Sequence, residues 1–267
     1  MERDPSAAGE EDGGLLYLYG VVREDGSGSP SSVVYHGLAA LVETVASAVF
    51  APAALEQRLA SVEWVAELAR RHEARLAAAM QSGPVIPARL CTLFSGDEAV
   101  RKLLADSEEE FLALLDRLTD AEEWGIKVYC DMAALRTATA DEATTEALAA
   151  GGPPVSPGQA YVLARQRDAD LTARVTRRLE EILDHILDEV EPLTLESSAR
   201  ALLPAAATMR PERMLLNLAV LVARDGLAAL EAALDELGDE LGREGVVLDR
   251  SGPWPPYSFT GPTDEVS

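Results

Sequence analysis

From Trp124 to Asp249 the apolar residues change period in a set order, and that order restricts the fold more than any other feature of the chain. "WGIKVYCD" (Trp124 to Asp131) has the β-branched and aromatic content of a strand. A polar Ala/Thr region and "GGPPVSPG" follow, with the composition of a connecting loop. From about Gln159 to Glu191, Leu171, Val175, Leu179, Ile182, Ile186 and Val190 form one stripe of a long helix, which Pro192 ends. "LTLESSARALL" and "RMLLNLAVLVAR" read as successive strands separated by "PAAATMRPE". Leu227, Leu230, Leu234, Leu237 and Leu241 stripe a second helix, and "GVVLD" is a final strand. Strand, helix, strand, strand, helix, strand is the split βαβ order of a ferredoxin-like sheet. A doubly wound sheet would need strands and helices to alternate one for one, and they do not.

The N-terminal half has a related, less regular order. After a disordered leader, residues 1–13, "LLYLYGVV" is a strand and "EDGSGSP" a loop. "VVYHG" and "LAALVETV" read as two short strands joined at Gly37. One helix is expected from Pro52, with Leu55, Leu59, Val62, Ala66, Ala69, Leu76 and Met80 on its buried face. "GPVIPARLCTLF" reads as a single buried strand. "SGDE" and "SEEE" place a serine three residues before a glutamate, so Ser95 with Glu98 and Ser107 with Glu110 are expected to cap two short helices.

The fold class predicted is therefore α+β in two domains, ferredoxin-like sheets packed with long helices, plus an extended Pro/aromatic C-terminal tail. The expected boundaries are an N-terminal domain at 14–121, a C-terminal domain at 122–251 with an Ala/Thr/Gly/Pro-rich insertion at about 133–157, and the tail at 252–267. At 267 residues the chain is long enough for real cores, and its 5% aromatic content favours helices over an all-β architecture. A net charge of −23 repels nucleic acid phosphates and anionic membrane surfaces, so no nucleic acid partner is expected and membrane surfaces fall to the bottom of the list. The N-terminus lacks the basic start and apolar run of a signal peptide, and the apolar runs fall well short of the roughly 20 residues that span a bilayer. The expected location is the cytoplasm.

No reacting constellation stands out. Phosphate-loop, dinucleotide, zincin and nucleophile-elbow spacings are all missing, so no catalytic residue, cofactor or metal is assigned. His72 lies between Ala69 and Leu76 on the helical stripe and reads as a packed core histidine. In "DHILDEVE", Asp184 and Asp188, or His185 and Glu189, stand one helical turn apart, a spacing able to hold a metal. In a chain with 46 acidic residues an exposed acidic face explains such pairs more simply. Cys91 and Cys130 lack paired spacing and read as buried reduced thiols.

The last feature is "GPWPPYSF", Gly252 to Phe259. Its prolines rule out helix and central strand and favour an extended, stiff segment that has little freedom left to lose on docking. Trp254, Pro255, Pro256, Tyr257 and Phe259 are the expected clip or partner contact, folding back to close the C-terminal domain.

"LLYLYGVV", "PVIPARLCTLFSGDEAVRKLL" and "EWGIKVYCD" with the closing "GPWPPYSF" together resemble the GvpL/GvpF family of gas vesicle proteins, in the expected order from about Leu15 to Gly261. The resemblance implies a non-enzymatic accessory or minor structural protein of gas vesicles, with two α+β domains, the N-terminal one a modified ferredoxin-like fold. It implies association with the vesicle, and as partners the GvpA-type shell protein and other accessory Gvp proteins during nucleation or growth. The chain departs from the family pattern at Cys91, where a small residue such as glycine is expected, and in the 133–157 insertion. A ferredoxin-like small-ligand-binding or regulatory module without catalytic activity is the alternative.

Overall fold

The computed structural model of the chain describes residues 14–24, 31–150 and 157–261. The predicted leader, most of the "EDGSGSP" loop and the "GGPPVS" stretch lie outside these residues. Helices and antiparallel sheets divide between two compact units. One runs to Ala121 and resumes at Pro255; the other spans Glu122–Trp254.

In the first unit β1 (Leu15–Arg23) is followed by β2 (Ser32–Tyr35) and β3 (Leu38–Val45). His36 and Gly37, at φ 43° and 81°, make the β2–β3 turn, since a two-residue hairpin needs two left-handed residues and glycine adopts that region without steric cost. Next come α1 (Ser47–Phe50), α2 (Pro52–Leu59), α3 (Val62–Met80), β4 (Val85–Pro87), β5 (Leu93–Phe94), α4 (Asp97–Asp106) and α5 (Glu108–Arg117). The strand order is β2-β3-β1-β4, and β5 pairs with the beginning of β1. Both faces of β1 are covered. Leu16 and Leu18 join Val100, Leu104 and Leu115 from α4 and α5, while Tyr17 and Tyr19 join Phe50, Leu68 and Leu76. A bulge between Leu18 and Gly20 reverses the alternation, so Val21 returns to the side of Leu16 and Leu18. At Gly20 a Cβ would stand 2.6 Å from the Ile86 carbonyl oxygen, so only glycine lets β4 approach this closely.

Three local expectations are corrected here. The single helix from Pro52 breaks at Ala60 and Ser61, where the Ser61 hydroxyl accepts from the Trp64 amide and starts a new helix. The buried face of α3 is accordingly Leu68, His72 and Leu76, with Leu59 and Val62 left 47% and 78% exposed. "GPVIPARLCTLF" makes two short strands rather than one, separated by a turn in which Cys91 sits at φ 65°. Neither predicted capping box forms. Gly96 is the N-cap of α4, one residue after Ser95, and Ser107 ends α4 as it begins α5, leaving its side chain no capping geometry.

The second unit contains β6 (Ala121–Cys130), α6 (Met132–Ala150), α7 (Pro157–Val190), β7 (Glu196–Ala199), α8 (Ala205–Thr208), β8 (Arg213–Ala223), α9 (Leu227–Leu241) and β9 (Val246–Trp254). Its strand order is β7-β8-β6-β9. Alternate residues of β6 (Ile126, Val128, Cys130) and β8 (Leu218, Val220, Val222) face Val175, Ile182, Ile186 and Val190 of α7 and Leu230, Leu234, Leu237 and Leu241 of α9. Each such side chain contributes roughly 1.5–3 kcal/mol on leaving water. The stripes expected on both helices form the core, except that Leu171 and Leu179 are partly covered and Leu227 lies outside it. A two-point contact from Arg178 to Glu244, at 2.8 and 2.6 Å, ties α7 to the turn before β9 and raises the Arg178 pKa.

The predicted Ala/Thr loop is instead largely helix α6. Alanine favours helix, and the Thr137 and Thr139 hydroxyls donate to the carbonyls of Ala133 and Leu135, so their polarity is satisfied within the helix. "LTLESSARALL" is a strand only from Glu196 to Ala199. "GVVLD" extends further than expected, through Pro253 to Trp254, because β9 is an edge strand and a missing amide donor is tolerated there.

Candidate functional site

The expected clip residues do not act as one group. Trp254 ends β9, 46% exposed, with its indole N–H donating to the Ser251 hydroxyl at 3.2 Å. One residue later the chain joins the first unit. Pro255 and Pro256 are buried there, and the carbonyl of Pro255 accepts from the Tyr257 amide at 2.7 Å. The Pro256 carbonyl accepts from the Phe259 amide at 3.1 Å and the Thr260 hydroxyl at 3.0 Å, so the segment is a folded turn rather than an extended strap. The clip closes the N-terminal unit and not, as expected, the C-terminal one.

Two anchors hold it. Tyr257 packs on the cluster of Tyr17, Tyr19, Leu68 and Leu76 and donates its hydroxyl to a Glu73 carboxylate oxygen of α3 at 3.1 Å. Burial, and next the Glu73 charge, push the Tyr257 pKa far up, so the phenol stays protonated and remains a donor. Phe259 is 6% exposed, and its carbonyl accepts from the Arg117 guanidinium at the end of α5. The turn thereby joins α3 to α5. Neither Glu73 nor Arg117 was identified from the sequence. They lie 184 and 142 residues from their partners, and no local spacing signals such a contact.

Beneath the clip, His72 is 1% exposed, in the core position the sequence indicates. Its Nε2 donates to the Ala88 carbonyl at 3.1 Å, which leaves Nδ1 to accept from the Tyr17 hydroxyl at 2.9 Å. The Tyr17 oxygen in turn accepts from the Cys91 amide at 3.2 Å. Burial depresses the His72 pKa, keeping the ring neutral. Every polar atom in this chain of bonds is used structurally, with no free base facing solvent.

His185 is half-buried, and its Nε2 lies 3.3 Å from a Glu240 carboxylate oxygen rather than beside Glu189. Among the described residues no group of His, Cys, Asp and Glu could hold a metal. Cys130 is fully buried, its pKa pushed up to about 11 chiefly by burial, whereas Cys91 is only half-buried in its turn. Burial likewise raises Cys91, and neither thiol has the lowered pKa of a nucleophile. A half-open cleft of about 360 Å³ lies in the first unit between the sheet and the end of α3, lined by Val22, Val34, Leu41, Arg75, Ala79 and Pro84 among others. No helix among the described residues is long and apolar enough to cross a membrane.

The family model for "Gas vesicle synthesis protein GvpL/GvpF" matches residues 15–261. The chain belongs to the GvpL/GvpF family. Gas vesicle protein L of Streptomyces sp. (strain CB03234) is 30% identical over 94% of both chains. Gas vesicle protein F of the same strain is 30% identical over 70% of this chain and 75% of its own. Gas vesicle protein L2 of Halobacterium salinarum is 28% identical over 66% of this chain and 64% of its own. In fold, the chain is similar to the crystal structure of GvpF from Anabaena sp. PCC7120, with a TM-score of 0.64 at 21% identity over 94% of this chain and 99% of that one. GvpF from Microcystis aeruginosa matches with a TM-score of 0.63 at 18% identity, over 92% and 99%. Membership of GvpL/GvpF supports a role in gas vesicle assembly.

Proposed function

We propose that the chain is a non-catalytic accessory or minor structural protein of gas vesicle assembly, acting in the cytoplasm and at the vesicle. In this reading it binds the small hydrophobic GvpA-type shell protein and other Gvp components during nucleation or growth. The observation that carries it is the family match across residues 15–261. The net charge of −23 supports it physically, since a strongly charged body resists co-aggregation with an apolar partner while local apolar surface does the binding. Both units belong to this reading as ferredoxin-like sheets, the N-terminal one modified; strand order β7-β8-β6-β9, with helices after β6 and β8, supports it for the second. The clip Pro255–Phe259 would serve by holding α3 and α5 in place and so shaping the partner surface of the N-terminal unit.

The test is co-expression with a GvpA-type shell protein and affinity capture, beside a chain ending at Trp254, which keeps β9 whole. Specific capture by the full chain is expected, with weaker capture by the shortened one. Absence of the shell protein and every other Gvp component from the eluate overturns the reading. A second reading, the small-ligand module, is favoured by the cleft beside Arg75. It predicts saturable thermal stabilisation by a small molecule, lost when Ala79→Trp fills the cleft.

A further inference from the structure

The cleft of about 360 Å³ in the first unit has a cause in the sequence. Cross-strand pairing sets Val34, Ala39 and Val22 in one row over β2, β3 and β1, with Leu41 and Ser32 in the next row of the same face. An alanine stands at the centre of the first row, so the floor dips between two valines. Opposite it, α3 runs from the fully buried Leu76 into Ala77, Ala78 and Ala79. There the side chains shrink to methyl groups, and the gap between helix and sheet is the cleft. Val34 is left 37% exposed on the floor. A concave, mostly apolar space of this size is at the small end of the range for ligand sites.

The charges on its walls indicate what the ligand carries. Of the three arginines on α3, Arg70 pairs with Glu67 and Arg71 lies 3.9 Å from Glu43. Arg75 is half-buried and lines the cleft, and its side chain makes no ion pair or hydrogen bond among the described residues. The chain has 46 acidic residues against 23 lysines and arginines, so the missing partner reflects an apolar cleft wall and not a shortage of carboxylates. Glu24 lines the same cleft and is likewise unpaired, while Arg23 beside it is engaged by Asp116 and the Leu112 carbonyl. Arg75 and Glu24 thus face one space with opposite charges, further apart than an ion pair reaches. An anion alone would satisfy Arg75 and meet the Glu24 charge; a cation alone would do the reverse. A ligand with both charges on one carbon satisfies both.

We propose that this cleft binds a free α-amino acid with an aliphatic side chain, which lies on Val22, Val34, Ala39 and Leu41 while the carboxylate meets Arg75 and the ammonium faces Glu24. The space equals about a dozen water volumes, enough for an amino acid of leucine size. The inference deepens the small-ligand reading and rests on it; the assembly reading neither needs it nor excludes it.

Thermal unfolding of the full chain against leucine, from about 10 µM to about 10 mM, tests it beside three analogues that each lack one feature: leucinamide the carboxylate, isocaproate the ammonium, glycine the side chain. A saturable rise in melting temperature with leucine is expected, with affinity about tenfold or more weaker for each analogue. Arg75→Gln should treat leucine and leucinamide alike, and Glu24→Gln should treat leucine and isocaproate alike. Loss of structure would not match each variant to its own analogue. Neither side chain holds the fold together, so both variants stay folded, which circular dichroism checks. No saturable shift with leucine, valine, isoleucine or methionine overturns the proposal. Leucine binding that Arg75→Gln and Glu24→Gln leave unchanged overturns it too. Stabilisation by isocaproate but not by leucine, lost in Ala79→Trp, overturns it while the small-ligand reading stands.

Discussion

At the scale of single residues, His72 shows how an environment assigns a role. The spacing Ala69, His72, Leu76 makes its burial legible in the sequence, but its partners Tyr17, Ala88 and Cys91 come from three separate stretches that only the folded sheet brings together. Its depressed pKa has a definite sign. Below its ordinary value of about 6.5 the unfolded chain takes up a proton that the folded ring refuses, so stability falls with pH from there down to the folded pKa. Denaturant unfolding from pH 7.5 to 5.5 should show this loss, at up to about 1.4 kcal/mol per pH unit, and His72→Gln should remove that part of the slope. Cys91 is the converse case. At Cys91 the backbone holds φ 65°, which glycine accepts and a branched side chain does not. Cys91→Gly should stay within about 1 kcal/mol of the wild type in the same assay, and Cys91→Val should lose roughly 1–3 kcal/mol.

At the scale of elements, periodicity was reliable where one face alone is buried. Most of the stripe residues of α7 and α9 are the observed core contacts, since several turns of consistent pattern leave no competing register. The break after Leu59 is not legible in the pattern, because Leu59 and Val62 carry the apolar spacing across a boundary that depends on one serine. Ser61 caps a helix and Ser95 and Ser107 do not, because capping depends on backbone geometry that a four-letter motif does not specify. Ser61→Ala should therefore cost about 1 kcal/mol, read as a lower melting temperature, whereas Ser95→Ala and Ser107→Ala should change little. In α6 the Ala/Thr composition suits a loop, yet the Thr137 and Thr139 hydroxyls are spent on the preceding helical turn.

At the scale of the whole molecule, composition and charge set the class, and the family resemblance supplied the function; neither located the clip. The stiffness of "GPWPPYSF" was readable, its destination was not, because docking energy alone does not choose between two available cores. Phe259→Ala should destabilise the N-terminal unit by about 3 kcal/mol. Hydrogen exchange should report that loss in β1 and α3 while protection of β8 and α9 is unchanged. An equal loss in both units would show that the clip serves both.

The return of Pro255–Gly261 to the first unit also has a consequence for synthesis. Residues up to Ala121 leave the ribosome long before the turn that completes their core, and all of Glu122–Trp254 must be translated in between. At about 5–20 residues per second that is a delay on the order of ten seconds. During it the site beneath Tyr257 and Phe259 is open on the nascent chain, so a ribosome-bound factor or early partner has a window that closes once Pro255–Phe259 has emerged and docked.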